Sequence, residues 1–194
     1  KCQLNCSIVN INLVTSNSGK VEELTYILKP FGHNASQLKV ECPEIQASTL
    51  EAVVDFGLDW LAAKKIQTPF IIDDAGIFIE ALQNFPGVYS RYVYDTIGLQ
   101  GVLKQMEGLE DRSTSFKCVI GLMLEDGTKH KFVGECKGDL IYEKRGSGGF
   151  GYDPIFIPDG YEKTFSELSP KEKNGISHRG RAMKKLVDFL SELQ

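Results

Sequence analysis

Two adjacent carboxylates, Asp73 and Asp74, follow the apolar run Phe70-Ile71-Ile72, and Ile77-Phe78-Ile79 resumes it after Ala75-Gly76. The run reads as a buried strand. A carboxylate buried without a partner is strongly unfavourable, so acids placed there are paired, hydrogen-bonded or bound to metal. Neighbours in a strand point to opposite faces, so the two acids have different jobs and at most one lines any given cleft. The alternative reading is a strand end in which one Asp caps the following turn.

Cations stand at two helix starts. Thr15, Ser16, Asn17, Ser18, Gly19 and Lys20 form a polar loop between an alternating strand, Ser7 to Val14, and a helix marked by Val21, Leu24, Ile27 and Leu28 that ends near Pro30 and Gly32. Strand, polar loop, helix is the order that aims backbone N–H groups at an anion. The loop is not a P-loop, since the leading Gly is absent and Val21 follows the Lys. Lys20 lies in the first turn, where the helix dipole disfavours a cation. Ser177 reads as the N-cap of a last helix whose buried stripe is Met183, Leu186, Val187, Leu190 and Leu193, and His178, Arg179 and Arg181 occupy its first turns with Lys173 close by. Each cation alone reads as a solvated surface charge. Together they point to a polyanion between two helix N-termini, since local rules break at functional sites.

Gly146-Ser147-Gly148-Gly149-Phe150-Gly151 matches G-x-G-x-x-G but runs into Tyr152-Asp153-Pro154 and not into a helix, so it is no dinucleotide fingerprint. It reads as a flexible backbone presenting Phe150 and Tyr152 to a base, with Asp153 to read a purine edge. Aromatics that merely pack on the core are the alternative. Carboxylates at Glu44, Asp73 and Asp74 suit Mg²⁺, a hard cation that takes one or two carboxylates plus phosphate oxygens. The inventory describes metal-assisted chemistry on a nucleoside triphosphate.

These residues need elements to hold them. Leu38 to Glu41 reads as a second strand, and Ser48 with Glu51 as a capping box for a helix from Leu50 to about Ile66. Thr68-Pro69 stops it. Asn84 to Tyr92 is an aromatic loop turned by Pro86-Gly87, and Ile97 to Met106 a short helix ended by Gly108. Ser115 to Leu124 and Lys129 to Cys136 form a hairpin around Asp126-Gly127. Ile155 to Ile157 is a short strand and Pro170 to Gly175 a polar loop. The 194 residues suit a single domain, 1–194, divided into two lobes. A net charge of −4 argues against a nucleic-acid surface, and no apolar run is long enough for a membrane span. Five scattered Cys without Cys-x-x-Cys fit free thiols in a reducing cytoplasm. With no Met and no signal pattern, Lys1 reads as a processing end.

The chain resembles the inosine triphosphate pyrophosphatase (HAM1-like) family, house-cleaning hydrolases of non-standard purine nucleotides, and its archaeal members above all. The resemblance spans about Ile11 to Leu190. It rests on Thr15 to Lys20, Pro43-Glu44, Asp73-Asp74-Ala75-Gly76, Phe85 to Ser90, Gly149 to Pro154, and Glu172-Lys173-Asn174 with Ser177-His178-Arg179. It implies hydrolysis of ITP, dITP and XTP to monophosphate and pyrophosphate by a Mg²⁺-dependent homodimer. The implied fold is α/β, an elongated, curved mixed sheet with flanking helices and two lobes around a nucleotide cleft. By position, the Thr15–Lys20 loop and Ala75 would hold phosphates, Glu44 and Asp74 the metal, and Asp74 the attacking water, with Asp73 in support. Phe150, Gly151, Tyr152 and Asp153 would hold the base, and Lys173, His178 and Arg179 phosphate and base edge. His178 or Arg179 would donate to O6 of a 6-oxo purine and so reject adenine.

Two departures stand out. A Lys usual in the helix after Pro43-Glu44 is missing near Asp55-Phe56-Gly57, leaving Lys64, Lys65 or Arg91 as substitutes, and Ala75 replaces a hydroxyl residue. Two other readings share the motifs: a pyrophosphatase of modified pyrimidine nucleotides, and a module that binds a nucleotide without hydrolysis.

Overall fold

The structure, a computed structural model, describes residues 10–43 and 45–193. In chain order its elements are β1 (Asn10–Val14), α1 (Ser18–Leu28), β2 (Asn34–Leu38), α2 (Leu50–Ala63), β3 (Phe70–Ile79), β4 (Phe85–Pro86), α3 (Ser90–Thr96), α4 (Gly98–Gln105), β5 (Ser113–Met123), β6 (Lys129–Leu140), β7 (Phe156–Pro158), α5 (Pro170–Ile176) and α6 (His178–Glu192), with short 3-10 turns between some of them. They build an α/β fold on one seven-stranded mixed sheet, ordered β2-β1-β3-β5-β6-β7, with β4 added to β3.

β1 is parallel to both neighbours, and the remaining pairings are antiparallel. The chain leaves β1 in one direction to reach β2 through α1, then crosses back past β1 to β3 through α2. Right-handed crossovers in opposite directions put their helices on opposite faces. Leu24 and Leu28 of α1 accordingly pack with Ile71, Ile120 and Met183, whereas Val54 and Leu58 of α2 pack with Phe70 and Val119. β3 and β5 pair without a bulge from Phe70↔Met123 to Ile79↔Thr114, so alternate residues keep strictly to opposite faces. The odd-numbered face of β3 carries two apolar clusters, one around Ile71 and Met183 and one around Ile77, Phe116 and Phe165. Asp73 lies on that face at the seam between them.

Helix α6 lies directly on β6 at Gly134. A Cβ there would overlap the carbonyl of His178 and come within 2.5 Å of the Ala182 nitrogen. Gly134→Ala therefore lowers stability by about 1–3 kcal/mol, the usual cost of overpacking a backbone contact, read as a reduced midpoint in guanidinium unfolding.

Several elements depart from the sequence reading. The strand expected from Ser7 is described from Asn10 onward; the residues before it lie outside the described ones. The second strand is Asn34–Leu38, not Leu38 to Glu41. It is an exposed edge strand held by its register with β1, so it needs no apolar alternation. Thr49, not Ser48, caps α2, its side chain accepting the Ala52 N–H at 3.2 Å. The expected loops 84–92 and 170–175 contain β4, the start of α3, and α5. A capping box between Ser169 and Glu172 starts α5, with Pro170 in its first turn. The hairpin turns at Gly127 as expected, but its strands run on to Ser113 and Leu140. Cys42, Cys118 and Cys136 form no disulfide, and no described helix is long and apolar enough to cross a membrane.

Candidate active site

The sheet is interrupted beside the acid pair. The last residue of β3 paired with β1 is Ile71, and β4 joins only at Phe78. Between them, from Asp73 to Ile77, no described strand covers the β3 edge. This notch opens at the carboxyl end of β1, where the chain departs to either side; open α/β sheets bind ligands at such a switch point. The first turn of α1 faces it from one end and the 87–90 turn from the other. Lys20 Nζ donates to the Asp73 carbonyl at 2.9 Å. At the far end Ser90 Oγ accepts the Ile77 N–H at 2.9 Å and donates to the Gly87 carbonyl at 2.6 Å. Backbone groups of alternate residues share a direction, so the Ala75 N–H points into the notch as well. The notch meets both sheet faces, and Asp73 and Asp74 flank it from opposite sides.

On the Asp73 side the cations already have partners. Lys20 Nζ lies 3.1 Å from Asp73 Oδ1, and Arg179 Nε donates to Asp73 Oδ2 at 3.0 Å. Arg179 Nη1 reaches Glu23 Oε2 at 2.6 Å, and Lys173 Nζ bridges Glu23 Oε1 and Asp153 Oδ2, each at 2.7 Å. Three cations thus meet three carboxylates in one chain of contacts: Lys20, Asp73, Arg179, Glu23, Lys173 and Asp153. The side chains of Asp73 and Arg179 are 1% and 3% exposed. The inference that cations at two helix starts demand an external polyanion is therefore corrected: internal carboxylates balance them. Glu23 is the residue the sequence reading missed. Its signal is its place three residues after Lys20, on the same helix side and beside the buried Leu24.

Burial pushes the Asp73 carboxyl up, but Lys20 and Arg179 outweigh it and hold it below the ordinary range. Burial likewise opposes Arg179 and Lys173 at Glu23, and the cations win. At Asp153 burial wins over Lys173 and the carboxyl is raised. Burial, then the charges of Arg179, Lys173 and Lys20, hold the His178 imidazole well below its usual 6.5.

His178 stacks on Phe116 at 4.7 Å, nearly parallel, and Nδ1 has no hydrogen-bond partner among the described residues. It stays neutral in the folded chain, whereas the unfolded chain takes up a proton as pH falls through 6.5. Stability consequently declines below that pH with a slope approaching about 1.4 kcal/mol per pH unit. Asp73 and Glu23 add losses of the same sign in more acid solution, and Asp153 opposes them. His178→Phe keeps the stack and should flatten the decline between pH 6.5 and about 5 in denaturant midpoints. An unchanged slope contradicts this assignment.

The other expected residues separate. Asn17 caps α1, accepting the N–H groups of Gly19 at 2.9 Å and Lys20 at 3.3 Å, and Thr15 Oγ1 accepts the Asn17 N–H. Ser16 and Ser18 are exposed at the mouth of the loop. Phe150 lies against the first turn of α1, where a Cβ on Gly19 would come within 2.9 Å of its ring. Lys173 Nζ and the Arg179 guanidinium stand 4.9 and 5.6 Å from the Phe150 ring centroid. Gly151 takes a left-handed turn at φ +62°. Tyr152 is a correction: it is buried, donates to the Ser90 carbonyl at 2.8 Å and packs edge-on against Tyr94, so its ring belongs to the core. Asp153 is buried, accepting from the Phe150 N–H at 2.8 Å and from Lys173; its carboxylate holds the loop and the lysine. Asp74 is half-buried on the opposite face. Glu44 lies outside the described residues, and among those described no group of three or more His, Cys, Asp or Glu could hold a metal.

The Ham1 family model matches residues 11–189. The chain is 56% identical over 182 residues to a dITP/XTP pyrophosphatase of Pyrococcus horikoshii, covering 94% of this chain and 97% of that one. It is 52% identical over 184 residues to the dITP/XTP pyrophosphatase of Thermococcus kodakarensis, covering 95% and 98%. Among solved structures, the Staphylococcus aureus Ham1 protein superposes with a TM-score of 0.81 at 29% identity, covering 95% of this chain and 100% of that one. A HAM1 protein from Coxiella burnetii superposes with a TM-score of 0.80 at 34% identity over the same shares.

Proposed function

The chain belongs to the Ham1 family, and from that premise we propose how its notch serves a triphosphate. The protein is a hydrolase of non-canonical purine nucleoside triphosphates of the dITP and XTP kind, yielding the monophosphate and pyrophosphate. The observation that carries the site assignment is the break in the sheet edge, where the start of α1, Lys20 and the two acids meet.

The triphosphate lies in the notch. The Ala75 N–H and Lys20 hold phosphate oxygens, and Lys20 shifts there from the Asp73 carbonyl. Asp74, half-buried at the other side, orients the attacking water and accepts its proton. Asp73 stays paired and positions Lys20 and Arg179. One described carboxylate beside phosphate oxygens fits Mg²⁺, which needs no all-protein cage. Asp74 with Glu44 would hold it, and it would supply charge neutralisation on the phosphates and a more acidic water.

The base stacks on the exposed side of Phe150. Arg179 has five N–H donors and spends one on Asp73 and one on Glu23, so others remain for a purine 6-oxo group. Adenine would set its 6-amino group against those donors, a mismatch a binding site rejects strongly. A homodimer belongs to the same proposal, supported by the exposed aromatic run Phe85, Tyr89 and Tyr92, and so does a cytoplasmic location, in keeping with thiols at Cys118 and Cys136.

The test is a substrate panel with Mg²⁺: dITP and XTP against dATP, dGTP and a modified pyrimidine triphosphate. Pyrophosphate from the first two at far higher kcat/KM is the expected result. Preference for the pyrimidine, or binding without turnover, would displace this reading.

A further inference from the structure

The face of the sheet that carries Asp74 has its own cation. The unbroken registers place Asp74 opposite Val119, and Gly76 opposite Lys117, so Asp74 and Lys117 share a face and lie diagonally two residues apart. Helix α2 covers the Phe70 end of this face, with Val54 and Leu58 over Gly121 and Gly57 over Ile72. The 87–90 turn seals the other side at Gly76, where a Cβ would overlap the Gly87 carbonyl and reach Ser90 Oγ at 3.0 Å. Between these covers lie the half-buried Asp74 and, on the neighbouring strand, Lys117.

Lys117 breaks an apolar pattern. It stands on β5, a strand paired on both sides, between the buried Phe116 and Cys118. A lysine at the middle of a sheet is stable only where its face is open. Its side chain is 40% exposed, its ammonium stands 4.9 Å from the Phe78 ring centroid, and its ion pair with Glu135 is long at 3.8 Å. Of the other β-strand lysines of this face, Lys129 and Lys131 make closer pairs with Asp59 and Asp55 of α2, and Lys137 stands opposite Ser115, a strand further from Asp74 than Lys117. Lys20, Lys173 and Arg179 are engaged on the opposite side. Lys117 is thus the loosely paired strand lysine that the register brings nearest to Asp74.

We propose that Lys117 is a phosphate-binding residue of the notch, contacting the triphosphate from the Asp74 side. The proposal rests on the reading of the notch as the triphosphate site. It makes the substrate straddle the edge of β3, with Lys20 on one side and Lys117 on the other.

The experiment measures binding of inorganic tripolyphosphate with Mg²⁺ by calorimetry, and kcat and KM for dITP, in the parent protein, Lys117→Met and Lys117→Arg. Expected are a loss of about tenfold or more in tripolyphosphate affinity and a matching rise in KM for Lys117→Met, with Lys117→Arg restoring most of both. A folded Lys117→Met that binds tripolyphosphate as the parent does overturns the proposal. Glu135→Gln gives a second arm that does not depend on Lys117→Met folding. It releases the ammonium from its long pair and should tighten tripolyphosphate binding by a few-fold; unchanged or weaker binding speaks against the proposal. The notch reading is tested separately: a parent that binds no tripolyphosphate refutes that reading itself.

Discussion

Asp74→Asn leaves a folded protein that binds nucleotide but releases pyrophosphate from dITP about 10²–10⁴-fold more slowly, the usual range for loss of a general base. The amide keeps the shape of the carboxylate but cannot accept the proton of the attacking water. The neighbouring substitution behaves differently. Asp73 is buried between Lys20 and Arg179, so Asp73→Asn leaves Arg179 short of a partner and lowers stability first. Steady-state turnover beside guanidinium unfolding of both variants separates the roles. Full turnover in Asp74→Asn refutes the assignment.

Arg179→Met is expected to cost about 3–5 kcal/mol, because it strands two buried carboxylates, Asp73 and Glu23, without their shared counter-ion. The pH dependence should weaken as well. In the parent both acids sit below their ordinary values, and stability is lost as pH falls. Without Arg179 burial weighs more heavily on both carboxyls, which keep only Lys20 and Lys173 as partners, so their share of the acid loss shrinks and the variant's decline toward pH 5 is shallower than the parent's. Adding Glu23→Gln should recover part of the loss, since the stranded charge is then gone. Denaturant midpoints across pH for the three proteins check this, and an Arg179→Met midpoint equal to the parent's contradicts it.

That the two acids face opposite sides of the sheet was legible in the sequence because it follows from strand parity alone, and an unbroken β3–β5 register preserves that parity. The helix start at Ser177 was legible for a similar local reason: its side chain accepts the Gly180 N–H of the turn it opens, as Asn17 proves to do for α1. What escaped was long-range. Glu23 looks like one more surface acid until Arg179 and Lys173, more than 100 residues on, fold against it. Tyr152 carries the composition of a base-stacking residue, but its hydroxyl is claimed by the Ser90 carbonyl. The strand at Asn34–Leu38 has no apolar alternation because pairing with β1, not burial, makes it a strand. The notch is likewise invisible in sequence, since it is a missing partner between β1 and β4.

The central claim, that water attacks the α-phosphorus of a triphosphate held in the notch beside Asp74, is tested most directly by turnover of dITP in ¹⁸O-labelled water with Mg²⁺. The label should appear in dIMP, with unlabelled pyrophosphate as the other product. Label in the pyrophosphate, or dIDP and orthophosphate as first products, would contradict it.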